Sequence, residues 1–269
     1  MAGDPGTRDF SRLASLMKIL LVSDLHYALK QFDWIHEVAG DYDAIMISGD
    51  VLDIVSAVPL QGQLVVILNH LKRLSNETRL FICSGNHDLT GRSEAGEKIA
   101  RWMADVRRVG IACDGDCIEL GEWRVSVCPW WDGAVAREGV GTQLAEDSQK
   151  SGRRWLWLYH APPADSPTSW SGKRHFGDEP LLSWIEQYNP ELVLCGHIHQ
   201  SPFRKGGSWA DRIGKTWVFN AGNQIGPVPC HIVFDTETGR ATWYSLAGTE
   251  FVDFTNVSDP ATPLPVAPG

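Results

Sequence analysis

The sequence lacks any apolar run long enough to cross a bilayer. Runs such as 19–22 and 64–68 fall far short of the ~20 residues that a spanning helix needs, so membrane insertion is not expected. The opening stretch, Met1-Ala-Gly-Asp-Pro-Gly-Thr-Arg-Asp9, has no apolar segment and carries two acids, so a secretory leader is not expected either. Cysteine is sparse: six residues (83, 113, 117, 128, 195 and 230) in 269 do not make a disulfide scaffold. Cys83, Cys128, Cys195 and Cys230 lie in or beside apolar stretches and read as small buried hydrophobes of a reducing compartment. Cys113 and Cys117 have no second Cys/His pair beside them, which argues against a structural zinc site. A cytoplasmic protein is therefore expected. Basic charge is also short: 24 Lys+Arg against 33 Asp+Glu give a net charge of −9. That balance speaks against a sequence-independent nucleic-acid binder and against a basic membrane-surface protein. It also stands against an enzyme of anionic substrates unless something else supplies positive charge.

What is present supports a folded core, since 43% of residues are hydrophobic and 21% charged. Residues 1–16 are polar and without period, and 255–269 hold four prolines, so both read as loose tails around a single domain spanning 17–254. Met17 is itself a candidate start residue. Strands are expected at 19–23, 44–48, 80–83, 124–128, 156–159, 192–195, 217–220, 232–235 and 241–246, and helices at 32–39, 63–74, 94–109, 142–149 and 180–188. Asp178 and Pro180 sign the start of the last helix, and 235–239 reads as a hairpin turn. Alternation in the first half implies a mostly parallel α/β sheet; the strand-rich second half implies another sheet.

Five of these strands end in polar blocks: Asp24-Leu-His26, Gly49-Asp50-Val-Leu-Asp53, Gly85-Asn86-His87-Asp88, His160-Ala-Pro-Pro163 and Gly196-His197-Ile-His199. Loops after the carboxyl ends of parallel strands converge on one crevice. Carboxylates gathered there would repel one another unless a cation joined them. Imidazole, carboxylate and amide oxygen together suit Zn, Fe or Mn. The number of donors fits two ions sharing a carboxylate, an arrangement that clamps an in-line displacement at phosphorus.

The ordered set Asp-x-His, Gly-Asp-x-x-Asp, Gly-Asn-His-Asp, a lone His and Gly-His-x-His resembles the calcineurin-like metallophosphoesterase superfamily, across residues 24–199. The resemblance implies an α/β fold, a four-layer αββα sandwich of two mixed β-sheets flanked by helices. It implies that Asp24, His26 and His199 hold one divalent or trivalent metal ion, that Asn86, His160 and His197 hold a second, and that Asp50 bridges them. It further implies attack by a metal-bridging hydroxide, with His87 as general acid and Asp53 orienting it. Asp88 reads as a turn or helix cap. His36 and His70 read as helix-face residues and His231 as structural. The phosphoprotein phosphatases carry an arginine where this chain has Ile54, and the purple acid phosphatases a tyrosine where it has Asp53. The pattern is thus more similar to the compact bacterial-type phosphodiesterases and phosphatases.

On the substrate side, Trp130, Trp131 and Trp170 form an aromatic wall for a base or apolar leaving group, or else pack under their loops. Lys173, Arg174 and His175 contact phosphate, or else lie in a solvated loop. The expected function is a dinuclear metal-dependent phosphoesterase acting on a small, nucleotide-like phosphate ester, with diesters favoured. Its alternatives are a phosphomonoesterase on a small metabolite and a non-catalytic scaffold subunit. A nuclease is disfavoured by the charge.

Overall fold

The computed structural model describes residues 17–150 and 152–255. The expected tails, 1–16 and 255–269, lie outside them except for Thr255. In chain order the strands are β1 (Lys18–Val22), β2 (Ala44–Ser48), β3 (Arg79–Cys83), β4 (Gly91–Arg92), β5 (Lys98–Ile99), β6 (Ala112–Cys113), β7 (Cys117–Leu120), β8 (Trp123–Val127), β9 (Arg154–Leu158), β10 (Leu192–Cys195), β11 (Ala210–Ile213), β12 (Thr216–Asn220), β13 (His231–Asp235), β14 (Arg240–Ser245) and β15 (Gly248–Asp253). The α-helices are α1 (Leu29–Val38), α2 (Leu60–Leu74), α3 (Met103–Arg108), α4 (Ala134–Ser148) and α5 (Glu179–Tyr188).

A seven-stranded sheet runs β15-β14-β13-β1-β2-β3-β6, and a six-stranded sheet runs β11-β12-β10-β9-β8-β7. β1, β2, β3 and β6 are parallel, as are β8, β9, β10 and β12; antiparallel strands close the remaining positions. The alternation of side chains along each strand builds the layers. In β1, Ile19 and Leu21 face the other sheet, while Leu20 and Val22 face α1 and α2. Trp123, Val125, Leu156, Leu158 and Phe219 answer from the second sheet. The outer face of that sheet packs Trp157 and Val193 on Val140 and Leu144 of α4 and on Leu181 and Ile185 of α5. Each such buried side chain contributes roughly 1.5–3 kcal/mol. The result is the α/β sandwich of two mixed sheets between helices. Among the described residues, no helix is long and apolar enough to cross a membrane.

Two helices differ from expectation. The stretch 94–109 opens with a hairpin: Gly96, at φ +81°, turns the chain so that Lys98 and Ile99 pair with Arg92 and Gly91, and only Met103–Arg108 is helical. α4 begins eight residues earlier than position 142, at Ala134, because the Glu97 carboxylate accepts the N–H groups of Val135 and Ala136 at 2.8 Å each. That cap comes from a distant segment and outweighs the helix-weakening Gly139 and Gly141.

Candidate metal centre

The parallel neighbours β1, β2 and β3 deliver Asp24, His26, Asp50, Asn86 and His87 to one end of the first sheet. β9 and β10 deliver His160, His197 and His199 from the second. The chain bends sharply as it leaves each strand. Asp24, His26, Asp50 and His197 all adopt left-handed backbone, with φ of +55°, +42°, +52° and +65°. Non-glycine residues in such conformations cost about 1–3 kcal/mol each and persist only where surrounding contacts impose them. The glycines of the motifs have a steric reason. A Cβ on Gly49 (φ +78°) would stand 2.5 Å from His160 Nδ1, and one on Gly196 2.5 Å from Asp24 Oδ2. One on Gly85 would collide with the Asp50 carboxylate.

Donor atoms gather around the buried carboxylates in two clusters, Asp24/His26/His199 and Asp50/His160/His197, and a third group joins His26 to Asp53 and His87; in each the ligand atoms lie within 4.8 Å of one another. His199 Nε2 lies 3.1 Å from Asp24 Oδ1 and 3.0 Å from His26 Nε2. His160 Nε2 lies 3.2 Å from Asp50 Oδ2 and 3.9 Å from Asp24 Oδ1. His160 Nδ1 donates to the Ser48 carbonyl at 2.7 Å, which turns Nε2 inward. That Nε2 and Asn86 Oδ1 are both buried without a hydrogen-bond partner.

The electrostatics carry the same message. Asp24 and Asp50 are 0% and 1% exposed. Burial alone would raise both pKa values, yet the facing imidazoles, His199 and His160 foremost, hold them below the usual carboxylate range. Burial opposes protonation of His160, but Asp50 and Asp24 outweigh it and lift its pKa to about 9. Burial and the positive charge on His160 press His197 down to about 4. Two buried carboxylates thus call for cations. Orphaned donor atoms, a glycine-lined cradle and a mixed nitrogen and oxygen set without thiolate all fit divalent transition ions. Among the described residues, no such donor cluster includes a cysteine.

Beside the clusters, His87 Nδ1 sits 3.7 Å from Asp53 Oδ1 and accepts the Ile54 N–H at 3.4 Å. Its ring meets that of His26 edge-on at 4.6 Å. Asp88 is more than a local cap. Fully buried, its carboxylate accepts the N–H groups of Asp50, Val51, Leu52 and Gly85 at 2.8–3.1 Å, fastening the loop after β2 to the turn after β3. Burial and neighbouring Asp50 push its pKa up, to about 8, against the pull of those groups. Gln63, buried on α2, clamps both the N–H and the carbonyl of Asp53 at 2.8 Å. Neither brace was read from sequence, because a polar residue on an apolar helix face or in a turn gives no sign of its distant partners. A third omission had a visible signal. Like the five motif strands, β12 ends in a polar block, Asn220-Ala-Gly-Asn223.

The three tryptophans part company. Trp130 stands beside the centre, its ring 5.2 Å from that of His197 and 5.6 Å from that of His160. Trp131 stacks on Tyr159 at 4.3 Å and meets Trp184 edge-on, under the loop. Trp170 donates its indole N–H to the Lys205 carbonyl and faces His175 at 4.9 Å. His175 bonds within its own loop, to Ser169 Oγ and the Ser166 carbonyl; Arg174 lies over Phe176, and Lys173 is exposed. His36 and His70 face each other across α1 and α2, with ring nitrogens 3.2 Å apart. A cleft of about 570 Å³ opens next to Trp130, between α3 and α4, with Ser84, Met103, Asp114, Val140 and Gln143 among its walls.

A family model described as calcineurin-like phosphoesterase matches residues 17–201. No curated protein matches the chain. Among solved structures, TT1561 of Thermus thermophilus is 15% identical, with a TM-score of 0.56 over 89% of this chain and 100% of that one. YfcE, a phosphoesterase from E. coli, is 15% identical, with a TM-score of 0.43 over 88% and 100%. Vps29 from Entamoeba histolytica, solved in complex with Zn, is 12% identical, with a TM-score of 0.44 over 88% and 99%. The first of these likenesses supports the fold.

Proposed function

Because the chain belongs to the calcineurin-like phosphoesterase family, whose members bind divalent metals, we propose that it hydrolyses a small phosphate ester at a dinuclear centre, with diesters favoured. The observation that carries this reading is the pair of donor clusters meeting over two buried carboxylates. Asp24, His26 and His199 would hold one ion, Asn86, His160 and His197 the other, and Asp50 would be shared; Mn, Fe and Zn all suit the donors. Two such ions supply Lewis-acid polarisation of phosphoryl oxygens and acidify a water molecule to a pKa of roughly 7.

The chain's own residues do the rest. To act as general acid His87 must carry a proton on both ring nitrogens: Nε2–H passes to the departing ester oxygen and Nδ1–H stays behind, which requires the long 3.4 Å contact from the Ile54 N–H to Nδ1 to open. The Asp53 carboxylate, 3.7 Å from His87 Nδ1, would accept the Nδ1 proton and orient the ring. Both side chains are about one-fifth exposed, at 20% and 19%, so a substrate reaches them from solvent. Trp130 borders the ligand histidines on one side. The diester preference draws on two features. Ile54 stands where a phosphate-clamping arginine would neutralise the extra charge of a monoester. The cleft on the far side of Trp130 has the size of a small-molecule site; no metal-ligand side chain lines it, so a second ester arm would reach it only past the Trp130 ring. The net charge of −9 fits a small ester in a cytoplasmic setting better than a long nucleic acid.

The test compares bis(p-nitrophenyl) phosphate with p-nitrophenyl phosphate in Mn²⁺. Faster turnover of the diester is expected. A monoester preference overturns the substrate assignment, and no turnover of either by metal-loaded protein overturns the enzyme in favour of a scaffold.

A further inference from the structure

The block that ends β12 has no part in the chemistry above, yet it reaches the metal centre. Asn220 is fully buried and anchors the segment. Its Nδ2 donates to the carbonyls of Thr168 and Ile198 and to Ser201 Oγ at 3.0–3.2 Å, and its Oδ1 accepts the Gly222 N–H at 2.9 Å. Gly222, at φ +73°, passes so close to the next loop that a Cβ would stand 3.1 Å from the His199 carbonyl oxygen. The turn thereby presents Asn223 to two main chains at once. The Asn223 N–H donates to the His199 carbonyl at 3.1 Å, and its side-chain Nδ2 donates to the Asp24 carbonyl at 2.5 Å.

Those two carbonyls belong to Asp24 and His199, two of the three members of a single donor cluster. They come from opposite sheets, so Asn223 ties together the two loops on which that cluster depends. Asp24 also holds left-handed backbone, a conformation that needs external support. The other cluster is braced elsewhere: Asp50 through the Asp88 carboxylate and His160 through the Ser48 carbonyl. Asn223 touches neither of these.

We propose that Asn223 is a positioning residue for one ion only, the ion assigned to Asp24, His26 and His199. This rests on the dinuclear reading above. Partners that orient metal ligands typically change affinity by about 10–100-fold, so in Asn223→Ala one of two dissociation constants should rise by that factor while the other holds. Asn223→Leu keeps the volume and adds no charge but removes the donor, and it should behave alike if the hydrogen bond, rather than packing, is what matters.

The test is equilibrium dialysis of Mn²⁺ against the full chain, with the ions counted by mass spectrometry and circular dichroism confirming the fold. Electron paramagnetic resonance should change from the spin-coupled signal of a Mn pair to that of an isolated ion. In a His160→Ala background, where the Asp24 cluster holds the remaining ion, adding Asn223→Ala should weaken that ion too. Unchanged binding of both ions in Asn223→Leu overturns the proposal, as does an equal loss of both, or an unaffected ion in the double variant. A wild-type chain that binds fewer than two ions overturns the dinuclear reading and this proposal with it.

Discussion

The two sheets bring unlike chemistry to the same crevice. The seven-stranded sheet supplies all the carboxylates and the amide, from Asp24, Asp50 and Asn86, together with His26; the six-stranded sheet supplies only imidazoles, from His160, His197 and His199. Neither set is stable alone. Asp24 and Asp50, buried without facing imidazoles, would take up protons, and His197 without a carboxylate opposite would be a desolvated base. The centre is therefore a property of the interface between sheets, and the ions proposed for it would act as a cross-link between the layers.

The most damaging change to this arrangement is Asp50→Asn, which removes a carboxylate that faces imidazoles of both sheets and is assigned to both ions. No measurable turnover and at most one bound ion are expected; two tightly held ions in this variant would break the account of acids and imidazoles acting together. His87→Ala should lower turnover by about 10²–10⁴-fold with metal content unchanged. Lost metal there would move His87 from proton donor to ligand. Stripping the ions with a chelator should unfasten the layers. Each ion present at 100 times its dissociation constant stabilises by about 2.7 kcal/mol, and a domain of this size shifts by about 2–4 °C per kcal/mol. A fall in melting temperature of about 10–20 °C is expected by calorimetry, and an unchanged value would show that the sheets hold without them. The smallest expected effects separate neighbouring tryptophans. Trp130→Ala should raise KM for the diester at little cost in stability, whereas Trp131→Ala, which removes the stack on Tyr159, should cost about 3 kcal/mol in denaturant unfolding and spare KM.

The meeting of the site residues was legible because each motif follows an apolar run, and parallel strands place such ends side by side. The nine expected strands all lie within or across observed ones for the same reason: buried strands are short and uninterrupted. What escaped reading depends on contacts between distant segments. Glu97 caps α4 from outside the helix, so the start at Ala134 carries no mark of its own. Asp88 looks like a turn residue until the four N–H groups around it are seen. Trp130 and Trp131 are adjacent and alike in sequence, and only the backbone direction after β8 sends one toward His197 and the other onto Tyr159. The net charge misleads in a similar way. Acids counted in the −9 include the buried Asp24 and Asp50, and two divalent ions would bring four positive charges to the pocket itself.

The order of the first sheet has a consequence for synthesis. β1 lies between β2 and β13, with Lys18 paired to Asp235. As the chain leaves the ribosome at about 5–20 residues per second, β1 therefore waits roughly 10–40 s for its second neighbour. During that interval its apolar flank is an open template for pairing with other nascent chains. His160, His197 and His199 also emerge late, so the acids of the first sheet stand without their counterparts for most of the same wait. Efficient production of this protein should thus depend on what shields that half-built sheet, more than on the stability of the finished one.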